Sequence, residues 1–152
     1  MTGRLTTILS GGRPPGVYRW LSRAHPSAVR RELAAVGWGL HALDGRAVTD
    51  ARSLFDRCAQ ALSFPGWFGH DWDALAHCLG DLSWLPGAGH MLLWERYGVL
   101  ARADAKAWRL AYQVMVDATA ARRESGADPL FVLLRGPGPT HTPDGSAAIP
   151  AT

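Results

Sequence analysis

The stretch of sequence that decides the fold lies between residues 64 and 82. It reads Phe64-Pro65-Gly66-Trp67-Phe68-Gly69-His70-Asp71-Trp72-Asp73-Ala74-Leu75-Ala76-His77-Cys78-Leu79-Gly80-Asp81-Leu82. A turn rich in glycine and aromatic side chains comes directly before a short amphipathic segment. We interpret that segment as a helix over about 71–82 whose outward side carries carboxylates. Neighbouring aromatic and acidic side chains of this kind suit contact with a basic cleft on another protein.

Helical geometry sorts this segment into two faces, because successive residues are rotated by about 100°. The face predicted to be buried contains Trp72, Leu75, Ala76, Leu79 and Leu82. The opposite face contains His70, Asp73, His77, Gly80 and Asp81. Asp71 stands where a capping carboxylate is favoured, so it either caps the helix or contacts a partner. Asp73 is either an ordinary solvated acid or a contact residue.

The two aromatic residues of the preceding turn are Trp67 and Phe68. We expect one ring to pack inward. The alternative is that both rings lie in the core. The sequence does not decide which ring is exposed. An exposed ring beside carboxylates would be a binding anchor, because aromatic side chains dominate the energetics of protein interfaces.

The acidic residues of this segment lie in a wider interval without positive charge. The chain of 152 residues carries 16 Lys and Arg against 13 Asp and Glu. Residues 58–95 contain four acids and no Lys or Arg, whereas residues 1–57 carry nine Arg and residues 96–135 seven basic residues. A chance gap in surface charge would look the same. The distribution nevertheless favours a basic protein partner for the acidic interval.

Motifs for catalysis and for cofactors are missing from the sequence. It has no P-loop, no Gly-x-Gly-x-x-Gly and no serine in a nucleophile elbow. We therefore expect a protein that is not an enzyme and takes no cofactor. We also expect a cytoplasmic protein with no membrane partner, because neither a long apolar run nor a signal-peptide core is visible.

Two other kinds of function remain as alternatives. His70, Asp73 and His77 have a spacing that could hold a metal ion, although no further ligand cluster is near in sequence. The arginine pairs Arg30-Arg31 and Arg122-Arg123 could contact nucleic acid. They come without a recognised DNA- or RNA-binding motif, so direct nucleic-acid binding is not expected.

Strand and helix signals alternate along the chain. They predict strands at about 17–21, 38–43, 90–94 and 130–134, and helices at about 26–36, 49–62, 71–82 and 104–124. This order indicates an α/β domain over 17–135, built on a small parallel sheet of three to four strands with packed helices. Residues 1–16 and 136–152 are rich in glycine and proline, and we predict that both are disordered tails.

The pattern from Trp67 to Leu79 resembles the barstar family of intracellular ribonuclease inhibitors. It consists of two aromatic residues and Gly69, a polar pair, a hydrophobic residue, Asp73-Ala74-Leu75, and Cys78-Leu79 at the end. A looser likeness in the order of strands and helices extends over about 38–134. Residues 17–37 would be an N-terminal extension to that core.

The resemblance implies a barstar-like fold and an immunity protein or antitoxin that plugs the active site of a ribonuclease toxin with carboxylates. Trp67 would stack in that site and Asp73 would be the first key carboxylate. His77 stands where the family has a second carboxylate, and Ala76 where it has an interface tryptophan. A domain that keeps the fold and binds proteins without inhibiting them is the alternative. The predicted partner-binding residues are Trp67, Phe68, Gly69, His70, Asp71, Asp73, Ala76, His77 and Asp81.

Overall fold

A single parallel sheet forms the centre of the molecule. The computed structural model describes residue 5 and residues 8–152. The strands are β1 (Val17–Arg19), β2 (Trp38–Asp44), β3 (Gly89–Glu95) and β4 (Leu130–Arg135), in the order β1-β4-β3-β2. All the pairings between them are parallel. The two central strands are the most apolar ones, since each has both of its faces covered. The α/β fold class and the parallel sheet are thereby confirmed.

Five helices and one 3₁₀ turn connect the strands in the described part of the chain. The helices are α1 (Pro26–Ala34), α2 (Ala51–Ala61), α3 (Trp72–Asp81), α4 (Gly98–Ala103) and α5 (Ala105–Ser125). The 3₁₀ turn, Gly45–Ala47, follows β2 at the predicted Asp44-Gly45 turn. None of these helices combines the length and the apolar character that crossing a bilayer requires.

The helices cover both faces of the sheet. On one face, α2, α3 and α5 pack against alternate residues of the strands, such as Leu92 and Trp94 of β3. On the other face, α1 buries Val29 and Leu33 against the opposite set, which includes Met91 and Leu93. Leu5 and Ile8 belong to this second apolar cluster. The helix α3 therefore lies on one face of the sheet, and α1 lies on the other.

One helix boundary and one short helix differ from the sequence-based prediction. The helix predicted at about 49–62 begins at Ala51, because Asp50 is its N-cap and forms a reciprocal capping box with Ser53. The predicted helix at 104–124 is preceded by the short helix α4, which the sequence analysis missed. Its six residues are too few for helical periodicity to identify. Gly126 ends α5 in the left-handed conformation, as its position predicts.

The C-terminal segment differs from the predicted disordered tail, whereas residues 1–4 and 6–7 of the predicted N-terminal tail lie outside the described residues. The last residues of the chain pack along the edge strand β1, where Pro150 and Thr152 exchange backbone hydrogen bonds of 2.8 and 2.9 Å with Arg19. Ile149 is 1% exposed and joins the core. An open sheet edge offers unpaired backbone groups, and prolines reduce the entropy lost when a segment orders. Pairing at the edge of β1 therefore competes with disorder, which composition alone does not show.

Candidate protein-interaction site

The turn before α3 places its two aromatic rings on opposite sides. Phe68 is 5% exposed, and its ring packs at centroid distances of 4.8 Å from Phe64 and 6.3 Å from Phe55. Trp67 is 59% exposed. The structure thus answers the question that the sequence left open, since Trp67 is the outward ring. Phe68, predicted as a contact residue, lies in the core, where it packs against the residues beneath the turn.

His70 fixes the end of this turn. Its φ of 53° is left-handed, a conformation that costs a non-glycine residue free energy. Nδ1 lies 3.1 Å from the Phe68 carbonyl oxygen, and Nε2 lies 3.3 Å from Oδ1 of Asp56 on α2. Gly69 is exposed between the two fixed residues. His70 therefore ties the turn to α2, and the sequence analysis missed Asp56 because that contact is tertiary.

The two acids at the start of α3 have different surroundings. Asp71 is the N-cap, and its Oδ1 accepts a hydrogen bond of 2.7 Å from the backbone N–H of Ala74. This confirms the capping interpretation. Asp73 is exposed in the first helical turn, and its carboxylate makes no hydrogen bond or ion pair with any residue that the structure describes. Its carboxylate is therefore available to an external partner, and the positive end of the helix dipole favours its charge.

The outward face of α3 is wider than predicted. Ala76 was assigned to the buried stripe, and this was wrong, because the residue is exposed. The buried face is centred on Leu75, Cys78 and Leu79. Ala76 lies beside it and lines a shallow groove of about 220 Å³ between α3 and α5. Small residues dominate the lining of this groove: Ala76, Gly80, Val114, Asp117, Ala118 and Ala121.

His77 and Asp81 complete this face at successive turns of the helix. The imidazole of His77 lies 5.5 Å from the indole of Trp67, measured between ring centroids. Asp81 is exposed, and its Oδ1 accepts a weak hydrogen bond of 3.3 Å from the backbone N–H of Ser83. We define the acidic face as Trp67, Asp73, Ala76, His77 and Asp81. It carries two carboxylates and one exposed indole.

The C-terminus of α3 is held by Arg122 of α5. The guanidinium group donates hydrogen bonds of 3.0 and 2.8 Å to the carbonyl oxygens of Gly80 and Asp81. It also donates two hydrogen bonds to the carbonyl oxygen of Asp128. Arg122 is 3% exposed. A buried cation on the free carbonyl groups of a helix end satisfies both partners, so this contact fixes the orientation of the acidic face.

The described residues contain no group of three or more His, Cys, Asp or Glu side chains placed to hold a metal ion. His70 is instead directed to Asp56, and His77 to Trp67. The histidine and aspartate spacing along α3 therefore does not become a ligand set in three dimensions. Cys58 and Cys78 are both buried free thiols, and burial raises the pKa of Cys58 to about 12.

Comparison with known families agrees with this geometry. The sequence model described as Barstar (barnase inhibitor) matches residues 38–134, which run from the start of β2 almost to the end of β4. The chain belongs to the barstar family. The match begins after β1 and α1, so these two elements lie outside the matched residues. The predicted family assignment is confirmed.

The structural neighbours show the fold alone. Two solved structures of the Aeropyrum pernix ORC2 protein, as ADPNP-ADP complexes and in the ADP form, match with TM-scores of 0.60 and 0.58. Their sequences are 11% and 12% identical to this chain. Each match covers 88% of this chain and 38% of the ORC2 chain, so the chain spans well under half of that protein. A search of curated proteins gives no match.

Proposed function

We propose that this barstar-family protein is cytoplasmic and binds a basic protein partner, a ribonuclease-type toxin. It occludes the active site of that toxin. The observation that carries the proposal is the joint exposure of Trp67 and Asp73. Trp67 contacts His77, which lies one helical turn after Asp73. An aromatic anchor and a carboxylate without an internal partner are thus adjacent on one rigid helix.

The proposed mechanism is occlusion, with no chemistry by this chain. A nuclease active site is basic because it must hold phosphates. The carboxylate of Asp73 would replace a phosphate there and pair with an arginine or lysine side chain. Trp67 would cover the adjoining surface and exclude water, which strengthens the charge pair in the interface. Asp81 would lie at the rim, where charges steer association more than they add affinity.

Three of the predicted contact residues would act through the shape of the site. Phe68 is buried, Asp71 caps α3, and His70 ties the turn to Asp56. Under this proposal they hold Trp67 and Asp73 in place before the partner arrives. Such preorganisation raises affinity because less conformational entropy is lost on binding.

Two substitutions distinguish this chain from the family pattern. His77 replaces a carboxylate, and an imidazole cannot form the bidentate pair with arginine that a carboxylate forms. Ala76 replaces a large aromatic side chain and opens the groove between α3 and α5. We infer that the partner presents a side chain that fills this groove. We also infer that the partner has no arginine opposite His77. The partner ribonuclease would then differ from barnase at these two contacts.

A non-inhibitory protein-interaction domain is the second candidate. The same two substitutions favour it, because each removes a group expected to block a nuclease site. In that case the acidic face would still bind a basic protein, but it would leave any nuclease activity unchanged. Inhibition and binding must therefore be measured separately.

The decisive experiment is a titration of a panel of small microbial ribonucleases with this protein, recording both inhibition and binding. Asp73→Ala is the test variant. Glu124→Ala, which removes an exposed acid near the end of α5, is the matched control. Stoichiometric inhibition that is lost in Asp73→Ala and kept in Glu124→Ala would establish the proposal. Binding without inhibition would support the second candidate, and neither effect across the panel would refute a ribonuclease partner.

A further inference from the structure

A cavity lies where β3 and β4 end, and its lining shares no residue with the acidic face. It has a volume of about 490 Å³, and its lining includes Glu95 at the end of β3, Arg96 after it, Arg135 at the end of β4 and Pro137 beyond it. Arg102 of α4 lines it as well. In open α/β sheets, ligands bind in the crevice outside the carboxyl ends of the strands. Its place in the fold therefore makes this cavity a candidate ligand site.

One of its arginines is already fully engaged. Arg135 donates to both carboxylate oxygens of Glu95, at 2.6 and 2.8 Å. It also donates to the carbonyl oxygens of Ser22 and Ala24, at 3.2 and 2.7 Å, and its guanidinium group lies over the ring of Trp20. Because this pair neutralises Glu95, the carboxylate does not offset the other charges in the cavity. Glu95 and Arg135 therefore form one side of the cavity.

The remaining two arginines have no partner in the described structure. Arg96 and Arg102 are exposed, and neither guanidinium group makes a hydrogen bond or an ion pair with a described residue. Two guanidinium groups without an internal anion thus face the same cavity. A planar guanidinium group matches the oxygens of a phosphate bidentately, which makes arginine well suited to phosphate recognition.

The backbone that carries Arg96 is fixed in an unfavourable conformation. Its φ is 56°, and its N–H donates a hydrogen bond of 2.8 Å to the carbonyl oxygen of Arg135. The neighbouring glycines permit the close approach of the two chain segments. A Cβ on Gly98 would overlap the carbonyl oxygen of Pro137, and Gly136 has a φ of 104°. Left-handed backbone at a non-glycine residue is concentrated at ligand sites, so the frame of the cavity is built before any ligand binds.

We propose that Arg96 and Arg102 form a binding site for a phosphate group, either inorganic phosphate or the phosphate of a monoester. Glu95 and Arg135 close one side of the site, and the segment at Gly136-Pro137 closes another. The site is separate from the acidic face, and the proposal does not rest on the ribonuclease partner.

The test is an NMR titration of the intact protein with inorganic phosphate at constant ionic strength, with chloride as the reference anion. Backbone amide shifts should be confined to residues 95–102 and 135–136. Arg96→Gln and Arg102→Gln should each weaken binding about tenfold or more, since each removes charge-assisted hydrogen bonds. Arg31→Gln, an exposed arginine of α1, should bind as the wild type does.

A second variant separates binding from folding. Arg96→Gly removes the guanidinium group and places the residue best suited to a positive φ at that position. It should fold at least as stably as the wild type and still lose phosphate binding. Equal phosphate affinity in Arg96→Gly, Arg102→Gln and the wild type would overturn the proposal. Shifts spread over arginines throughout the surface, or reproduced by chloride, would overturn it as well.

The source of the phosphate is distinguished by two further ligands, a nucleoside monophosphate and the same nucleoside without phosphate. Binding of the monophosphate at the same residues would assign the site to a phosphate ester. Binding of inorganic phosphate alone would assign it to the free anion. If the nucleoside without phosphate bound equally well, the site would recognise the base or the sugar, and the proposal would be wrong.

Discussion

The indole of Trp67 lies edge-on against the imidazole of His77, with ring centroids 5.5 Å apart and an angle of 67° between the planes. This contact holds an exposed aromatic side chain over the outward face of α3. Asp73 lies four residues before His77 and so belongs to the same face one turn earlier. The aromatic ring and the free carboxylate therefore present a combined surface, although they come from a loop and from a helix.

Trp67 should contribute to partner binding and little to stability. Trp67→Ala is expected to weaken binding to the partner by about 2 kcal/mol or more, because exposed aromatic anchors are typical hot spots. Its free energy of unfolding should change by no more than about 0.5 kcal/mol, since the ring is 59% exposed. Isothermal titration and urea unfolding measure the two effects. Loss of stability without loss of affinity would contradict the assignment.

Phe68 should contribute to the stability of the fold and not to direct contact with the partner. Phe68→Ala removes a ring that is 5% exposed and packs against Phe64 and Phe55. We expect a loss of about 3–5 kcal/mol in the free energy of unfolding, because the core keeps a cavity. Trp67→Ala is the matched control, one residue away. A change in Phe68→Ala below about 1 kcal/mol would show that the turn does not depend on this ring.

Arg122 should be needed for the orientation of the acidic face. Arg122→Met leaves the carbonyl groups of Gly80, Asp81 and Asp128 without their charged donor. We expect a loss of about 3 kcal/mol or more in unfolding free energy, together with faster amide exchange at the end of α3.

The adjacent Arg123 provides the control for this prediction. It is exposed and makes a hydrogen bond of 2.9 Å to the carbonyl oxygen of Pro15. Arg123→Met should change the unfolding free energy by about 0.5 kcal/mol or less. Equal effects of the two substitutions would mean that the carbonyl contacts of Arg122 are not what stabilises α3.

The stability of the fold should fall as the pH is lowered through the range in which histidine titrates. His41 and His90 lie on neighbouring strands with ring centroids 5.9 Å apart. Burial, followed by the proximity of His90, lowers the pKa of His41 from 6.5 to about 4, and burial also lowers the pKa of His90. The unfolded chain thus binds more protons than the native state between these values, so stability is lost as the pH falls from about 6.5 to about 4.

Urea midpoints measured across that pH range test this prediction. His41→Gln should reduce the pH dependence, because the uncharged amide does not titrate. His141→Gln, at an exposed histidine near the C-terminus, should leave it unchanged. A pH dependence in His41→Gln equal to that of the wild type would assign the effect to other groups. Aspartates whose pKa lies below the usual range, such as Asp144, titrate only at lower pH.

The local parts of this structure follow from the sequence. The ends of α3 and the cap at Asp71 are set by short-range geometry, and the sequence identified the helix bounds and the capping position. The strand predicted at about 130–134 likewise corresponds to β4, in which five of the six residues are buried. Periodicity, caps and turn residues act within one or two helical turns, so one sequence is sufficient to identify them.

The parts that were missed depend on distant segments. Arg122 was considered as a possible nucleic-acid contact, whereas its guanidinium group binds the carbonyl groups that end α3. Asp56 reaches His70 only after α2 and the turn have packed together. The exposure of Ala76 follows from the position of α5 beside α3. None of these contacts has a signal in the local pattern.

The strongest test of the acidic face is to give it the carboxylate that the family pattern has. His77→Asp places a further acid between Asp73 and Asp81, one turn from each, at a cost of about 0.2–0.5 kcal/mol for each of the two like-charge pairs. His77→Asn has nearly the same shape without the charge, and both variants lose the ring contact with Trp67. If α3 enters a basic nuclease site, His77→Asp should bind a barnase-type ribonuclease about 1.5–3 kcal/mol more tightly than His77→Asn does. The gain should shrink at high salt and disappear in nucleases without an arginine at that contact. Equal inhibition constants for the Asp and Asn variants would show that α3 does not face the cations of the nuclease, and the site would have to be sought on another surface.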